Sequence, residues 1–200
     1  MDFDLAGDDA RHAYKLLAGL VTPRPIAWVT TLDEEGCINA APFSFFNVFG
    51  ARPPILGFAP GNKTREVPKD TARNIRRSGE FVVNLVDESC AEAMNRTSAE
   101  LEFGVSEIEL AGLTTVPSVG VSPPRIAEAP VALECREWST LEIGRNRLVI
   151  GLIDRVHTRD GILDPGTLLV DPDAFAPIGR MEVPSGYCRT RDRFQMPRPG

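Results

Sequence analysis

Residues 23–49 read PRPIAWVTTLDEEGCINAAPFSFFNVF, and this stretch decides the fold. From Ile26 to Leu32 the run is rich in β-branched and aromatic residues, with prolines before it and Asp33 to Gly36 after it. A second run of the same character, Cys37 to Phe49, follows at once. Two such runs joined by a short polar, Gly-containing link predict a hairpin across Asp33–Gly36. Pro42 interrupts the second run and carries no backbone N–H, so that strand must lie at a sheet edge or bulge there.

Working outward, PILGFA (54–59) reads as a further strand, and EFVVNLV (80–86) as one apolar enough on both faces to be central. VALECREW (131–138), STLEIG (139–144) and RLVIGLIDRVHT (147–158) continue the strand pattern. Three helices are expected. DDARHAYKLLAGL (8–20) is capped by Asp8, has Ala10, Ala13, Leu16, Leu17 and Leu20 on one side, and ends at Gly19. DTARNIRRSG (70–79) has Asp70 at its N-cap, Ile75 inward and Gly79 as its stop, and SCAEAMNRT (89–97) is capped by Ser89. Residues 98–128 are broken by prolines at 117, 123 and 124, and the tail 171–200 is rich in Pro and Arg with low core content. Strands joined by short turns with few helices predict a mainly β chain, an antiparallel sheet closed into a barrel. Alternating βαβ units are absent. The expectation is a single domain over 1–200, with a helical insertion around 89–128 and an extended tail.

The 200 residues are 42% hydrophobic and 25% charged, which is globular composition. The 17 glycines and 17 prolines suit many turns rather than a helix bundle. A net charge of −6 argues against nucleic acid as a partner. The acidic MDFDLAGDD start does not read as a secretory signal, and no apolar run approaches the ~20 residues of a membrane span. Cys37, Cys90, Cys135 and Cys188 are scattered and read as reduced thiols of a cytoplasmic protein. With only two histidines, His12 and His157, no metal site is expected.

GFAPGNKT (57–64) nearly spells a phosphate loop, but Asn62 stands where the pattern needs glycine and Pro68 opposes a helix start. Lys63 and Arg65 remain able to neutralise an anion, or to sit in a solvated turn. In PKDTARNI (68–75), Lys69, the Thr71 hydroxyl and the first-turn amides form a pocket suited to a phosphate monoester. The same residues also describe a capped surface helix with nothing bound. In NAAPFSFFN (39–47), Ser44 and Asn47 interleave with Phe43, Phe45 and Phe46. Such a wall suits a planar heteroaromatic ring such as a flavin, or is an aromatic core strand. Arg24, stiffened between Pro23 and Pro25, is shaped to grip a phosphate or a ring carbonyl, or is a surface arginine. His157 closes a long strand as a proton donor, a stacking group or a structural residue. There is no GxSxG elbow and no GxGxxG fingerprint, and the glutamates at 100, 102, 107 and 109 read as a solvated face.

In their order, PRPIAWVTT, NAAPFSFFN, KDTARNI and GEFVVNLV resemble the flavin reductase-like family of FMN-binding split barrels, the flavoredoxin-like group. MNRTSAELEFGVSEIELAGLTTVPS, APVALECRE and GYCRTRDRFQMPRP extend the likeness over nearly the whole chain. The resemblance implies a six-stranded antiparallel Greek-key split barrel, a homodimer, and FMN near the subunit interface. Carried over by position, it sets Arg24 and Pro25 beside the flavin, and Ala41, Ser44, Phe45 and Asn47 along the isoalloxazine. Lys69, Asp70, Thr71 and Asn74 would surround the phosphate, with Lys63 replacing or assisting Lys69 and with hydroxyls added by Thr30 and Thr31. Thr97, Ser98, His157, Tyr187 and Arg189 would border the open face where a nicotinamide or substrate stacks. The implied activity is an NAD(P)H-dependent flavin reductase passing hydride from nicotinamide to flavin N5, with no catalytic side chain required. Two other readings are an FMN enzyme acting on a specific organic substrate and a flavin or electron carrier. A partner monooxygenase is compatible with the first of the three.

Overall fold

In the computed structural model, residues 1–64 and 67–199 are described. Arg65, one of the two candidate cations of the 57–65 turn, lies outside them. The strands are β1 (Ala27–Leu32), β2 (Ile38–Phe43), β3 (Phe46–Ala51), β4 (Pro54–Phe58), β5 (Glu80–Leu85), β6 (Thr115–Val116), β7 (Arg125–Ile126), β8 (Val131–Ile143), β9 (Asn146–Thr158), β10 (Ile178–Arg180) and β11 (Tyr187–Arg189). The helices are α1 (Ala13–Leu20), α2 (Asp70–Ser78), α3 (Ala91–Arg96) and α4 (Glu107–Ala111), with short 3-10 turns before α1 and α3. No described helix is long and apolar enough to cross a membrane.

Seven strands form one antiparallel sheet in the order β2-β1-β5-β8-β9-β4-β3. Its two outermost strands are consecutive in sequence and joined through Ser44 and Phe45, so the sheet rolls back on itself as a split barrel. The strand beyond the expected six arises because the 37–49 run divides at Ser44. Its first half pairs with β1 and its second half with β4. The Asp33–Gly36 hairpin forms as expected: the Asp33 carboxylate accepts from the amides of Glu35 and Cys37, and Gly36 takes the left-handed φ of 84° that the turn needs. Residues 131–143 are one strand rather than two, with register shifts after Glu134 and after Glu137.

Alternation along β1 makes two apolar layers. Ala27 and Val29 point into the barrel with Phe43, Leu56, Phe58, Phe81, Val83, Leu133 and Val149. There Phe58 bridges Phe43 and Phe81 at ring separations of 5.3 and 5.5 Å. Ile26 and Trp28 point outward into a second layer with Ala40, Val86, Met94, Ile108, Ile126 and Ile178. Trp28 is fully buried and its indole N–H donates to Thr97 at 2.9 Å. Gly151 is required on β9, since a Cβ there would fall 2.5 Å from Cζ of Phe81.

Capping differs from expectation at each helix. Asp8 does not cap the first, which runs through Gly19 to Leu20. Lys69 rather than Asp70 is the N-cap of α2. Asp87 rather than Ser89 caps the turn into α3, accepting from the Ser89 amide. The tail is also less peripheral than its composition suggests: Ile178 is buried in the outer layer and Phe175 packs against the barrel core.

The 98–128 excursion is bound to the outer sheet face by polar groups. Thr30 donates to the Pro124 carbonyl, the Asn84 side chain accepts from the Ile126 amide, and Glu80 accepts from the Ser122 amide. Glu134, fully buried, accepts from the amides of Val119 and Gly120 and contacts His157 Nε2 at 2.6 Å. Burial pushes its carboxyl up, yet the two amides and His157 outweigh that and hold it below the usual range. A depressed folded-state pKa stabilises above the ordinary glutamate value of 4.5 and ceases to do so as pH falls through the folded value. Glu134→Gln should therefore lower stability by about 1–3 kcal/mol near neutral pH. Urea midpoints measured down through pH 4.5 should show the gap to the wild type closing.

Candidate functional site

The site begins at the free edge of β2. In an antiparallel ladder alternate residues turn both backbone groups to the same edge. Here the outward edge is met by α4 and the residue before it: Ser106 donates its hydroxyl to the Ile38 carbonyl, and the Ala40 amide donates to Glu107 Oε2 at 2.9 Å. The next outward residue is Pro42, which has no N–H, so past Ala40 the edge is left open to a ligand rather than to another strand.

At this edge four elements meet on one side chain. Asn39 Oδ1 on β2 accepts from Thr71 of α2 at 2.8 Å and from Thr31 of β1 at 3.3 Å, while its amide nitrogen donates to Glu107 of α4 at 2.9 Å. Asn74 completes the set by donating to Thr31 at 3.0 Å. All of these groups are buried. Burial raises the Glu107 pKa in spite of the hydrogen bonds from Ala40 and Asn39, and the charge of Asp70 adds to the rise. Sequence reading placed Glu107 on a solvated face; only 5% of it is exposed. One acidic residue among several in a proline-broken segment gives no local sign of burial.

The junction holds the start of α2 against the β2 edge. Among the described residues no side chain caps that helix, which leaves its first-turn amides as donors at the positive end of the dipole. Lys69 has no ion-pair partner among the described residues, and its Nζ lies 5.8 Å from the Phe43 ring centre. Lys63 is engaged, holding Asp70 at 2.7 Å and the Leu101 carbonyl at 3.2 Å. A narrow cleft of about 60 Å³ opens here between Ala41, Pro42, Lys69, Thr71 and the Thr97–Leu101 loop.

Beyond Pro42 and Ser98, which line both spaces, the groove widens to about 340 Å³ between Phe43, Ser44, Tyr14, Asn95, Arg180 and Tyr187. Past Met94, Asn95 and Tyr187 it continues into about 520 Å³ bordered by α3 and β11. It thus runs from a cationic, amide-lined end along a strand edge to an aromatic and polar end. Such a site takes an elongated ligand with an anion at one terminus and a flat ring at the other.

The sequence profile described as Flavin reductase like domain matches residues 19–179. The chain belongs to the flavin reductase-like family. Among its relatives is an uncharacterized protein of Deinococcus radiodurans, 41% identical over 98% of this chain and 88% of that one. Two solved structures share the fold closely. Nitrilotriacetate monooxygenase component B of Bacillus cereus is 33% identical, with a TM-score of 0.92 over 98% of both chains. Pseudomonas fluorescens 2-nitrobenzoate 2-nitroreductase NbaA is 38% identical, with a TM-score of 0.90 over 100% of this chain and 96% of that one. Membership makes the chain a flavin-linked oxidoreductase, and the groove fits the cofactor: uncapped amides and Lys69 for a phosphate, an unpaired strand edge for a ring.

Of the residues the resemblance marked in this flavin reductase-like chain, Ala41, Ser44, Lys69, Asp70, Thr71, Thr97, Ser98, Tyr187 and Arg189 line the groove. The roles of several are altered by their partners. The Thr31, Thr71 and Asn74 side chains are spent on the Asn39 junction, and Thr97 accepts from Trp28 and donates to Met94. Arg189 lies at the far end in an ion pair with Glu88. Arg24 is a buried clamp: its guanidinium donates to the carbonyls of Ala18, Val21 and Met181, and weakly to Ser44 Oγ at 3.4 Å. Phe45 flanks the ring end beside Tyr14 and Arg24. Pro25 and Asn47 are exposed away from the groove linings. Thr30 faces the excursion, and His157 sits with Glu134 on the outer sheet face. Sequence reading gave no role to Asn39, although it opens the NAAPFSFFN stretch, or to Tyr14 of α1; both join the site through tertiary contact.

Asn39→Ala would leave two buried hydroxyls without their acceptor and one oxygen of the buried Glu107 carboxylate without its donor. It should cost about 2–4 kcal/mol in urea unfolding, well above a typical surface substitution.

Proposed function

We propose that the groove binds FMN, with the phosphate at the start of α2 and the ring against the Ala41–Ser44 edge, and that the protein is an NAD(P)H-dependent flavin reductase. The observation that carries this is the uncapped α2 N-terminus with Lys69 at one end of a groove whose other end is lined by Tyr14, Phe43 and Tyr187. The bound flavin supplies the electron-accepting chemistry, so the protein's part is to hold, orient and exclude water. Lys69 and the helix amides neutralise the phosphate. The Ala41–Phe43 backbone fixes one edge of the ring. Ser44, steadied by Arg24, sets a hydroxyl at the ring end. Ser98 and Tyr187 flank the open side where nicotinamide stacks.

A second copy of the chain completes the assembly in this reading. Tyr14, Leu17, Leu20 and Val21 at the α1 end and Phe45, Val48 and Phe49 around β3 are exposed apolar groups, joined by the Tyr14–Phe45 ring contact. A homodimer burying them covers a patch that a monomer would leave in water. Leu20→Asp with Val48→Asp should convert the sedimentation profile from dimer to monomer. A reading in which the flavin serves a specific organic acceptor is favoured by the likeness to the nitroreductase and by the roomy cleft past Tyr187. In the reductase reading a monooxygenase component consumes the reduced flavin, as the likeness to component B supports.

Anaerobic stopped-flow mixing of the purified yellow protein with NADH and NADPH tests the proposal. Rapid loss of the oxidised flavin band with either nucleotide is expected. Flavin that stays oxidised with both overturns the reductase and favours the organic-substrate reading. Lys69→Ala should weaken FMN binding 10- to 100-fold in a fluorescence titration, as loss of a charged hydrogen bond of about 1.5–3 kcal/mol requires.

A further inference from the structure

A buried acid borders the anion end of the groove. Glu107, the first residue of α4, lines the cleft of about 60 Å³ together with Lys69, Asp70 and Thr71. Its carboxylate accepts from the Asn39 carboxamide and from the amides of Ala40 and of Glu107 itself. An ionised carboxyl has about four acceptor positions, so room for a proton remains. Among the described residues no cation lies within ion-pair distance of it.

The charged and titratable groups around it leave one cation uncommitted. Lys63, Lys69, Asp70 and Glu100 line the same cleft; Lys63 holds Asp70 at 2.7 Å, and Glu100 is exposed. On β2, burial and the charges of Asp33 and Glu107 push the Cys37 thiol up, so it stays neutral. Glu109 of α4 is exposed. On α3, which packs against α4, Glu92 and Arg96 are exposed and border the larger cleft past Tyr187. Lys69 is thus left to answer both Glu107 and any anion that enters.

A phosphate monoester carries about 1.5 to 2 negative charges at neutral pH. Lys69 and the start of α2, equivalent to roughly half a positive charge, balance the ester and leave nothing for Glu107. Like charges confined to one site drive one of them to take up a proton. The carboxyl is the group that yields, since burial outweighs its hydrogen bonds and already raises its pKa, with Asp70 adding to the rise. Once neutral it still accepts through its oxygens and gains an O–H to donate.

We propose that Glu107 is a ligand of the flavin phosphate in its protonated form: the carboxylate takes one proton from solvent as the ester enters, and the new O–H donates to a phosphate oxygen. The proposal rests on the flavin reading above and deepens it by making phosphate binding proton-linked. Affinity for the ester is greatest while the carboxyl is protonated. It falls as pH rises from the value of the carboxyl without ligand towards its higher value beside the phosphate, and levels off beyond. At its steepest the fall is about tenfold per pH unit, the slope of one proton.

Fluorescence titration of the flavin-stripped full-length chain with FMN, and with riboflavin, which lacks the phosphate, tests this between about pH 6 and 8.5. Over that range FMN affinity should fall at least about fivefold in the wild type relative to Glu107→Gln, a comparison in which the ester's own ionisation cancels. Riboflavin should show no such difference. Calorimetry of the wild type near neutral pH, in two buffers of different protonation enthalpy, should show proton uptake with FMN and none with riboflavin. The same pH dependence of FMN binding in both proteins overturns the proposal, as does FMN binding without proton uptake, or an equal uptake with riboflavin. The calorimetry decides the matter by itself if Glu107→Gln does not fold. Should neither flavin bind the wild type, the flavin reading itself fails, a result distinct from FMN binding with no proton taken up.

Discussion

The carboxamide of Asn39 is the point on which the geometry of the site depends. Through it β1, β2, α2 and α4 are joined, and both of its ends are occupied. An apolar contact there would hold the same elements but let them slide, because hydrophobic attraction has no direction. A buried network of hydroxyls, amides and a carboxylate is directional and costly to leave half made, so it admits one arrangement. That arrangement sets how far the amide-rich start of α2 stands from the open edge of β2. The interval between anion end and ring wall is therefore a property of the interior rather than of flexible surface groups.

The two ends of the groove are built differently. The anion end comes from the sheet, α2 and the excursion, all tied through buried polar atoms. The ring end is assembled from α1, the loop after α3 and the β10–β11 tail, around the single guanidinium of Arg24. That group satisfies the last carbonyls of α1, holds the tail at Met181, and touches Ser44 at the corner between β2 and β3. Its role is to position the wall. The charge that the sequence offered as a ligand grip is consumed in joining three segments distant in the chain, and burial with nearby Arg180 lowers its pKa in consequence.

What could be read from sequence was what local pattern controls. Alternation at Ile26–Leu32, the turn chemistry of Asp33–Gly36, the doubly apolar 80–86 run and the Gly79 stop, whose φ is 69°, all depend on neighbours in the chain. Pro42 also carried its meaning openly, since a missing N–H constrains a strand wherever it occurs. The reading went astray where the deciding partner is remote. Nothing local shows that the aromatic run turns a corner at Ser44, because β4 and β9 make that choice. Glu107 looked like its exposed neighbours until Asn39 and Ala40 were seen to claim it. His157 looked available, yet it is held on the outer sheet face by Glu134, which itself accepts from the Val119 and Gly120 amides. Thr30 and Thr31 are adjacent in sequence and point to opposite faces, so they were bound to part company.

The edge of β2 carries one more consequence. An unpaired strand edge is a template for strands from other chains, and proteins that expose one risk aggregation during synthesis and whenever the ligand is absent. Along this edge, successive outward positions are covered by Ser106, bonded to Glu107, and then deprived of a donor by Pro42. The groove can thus remain accessible to a small molecule without inviting self-association through intermolecular β-pairing, and the empty protein is protected by the same residues that admit the cofactor.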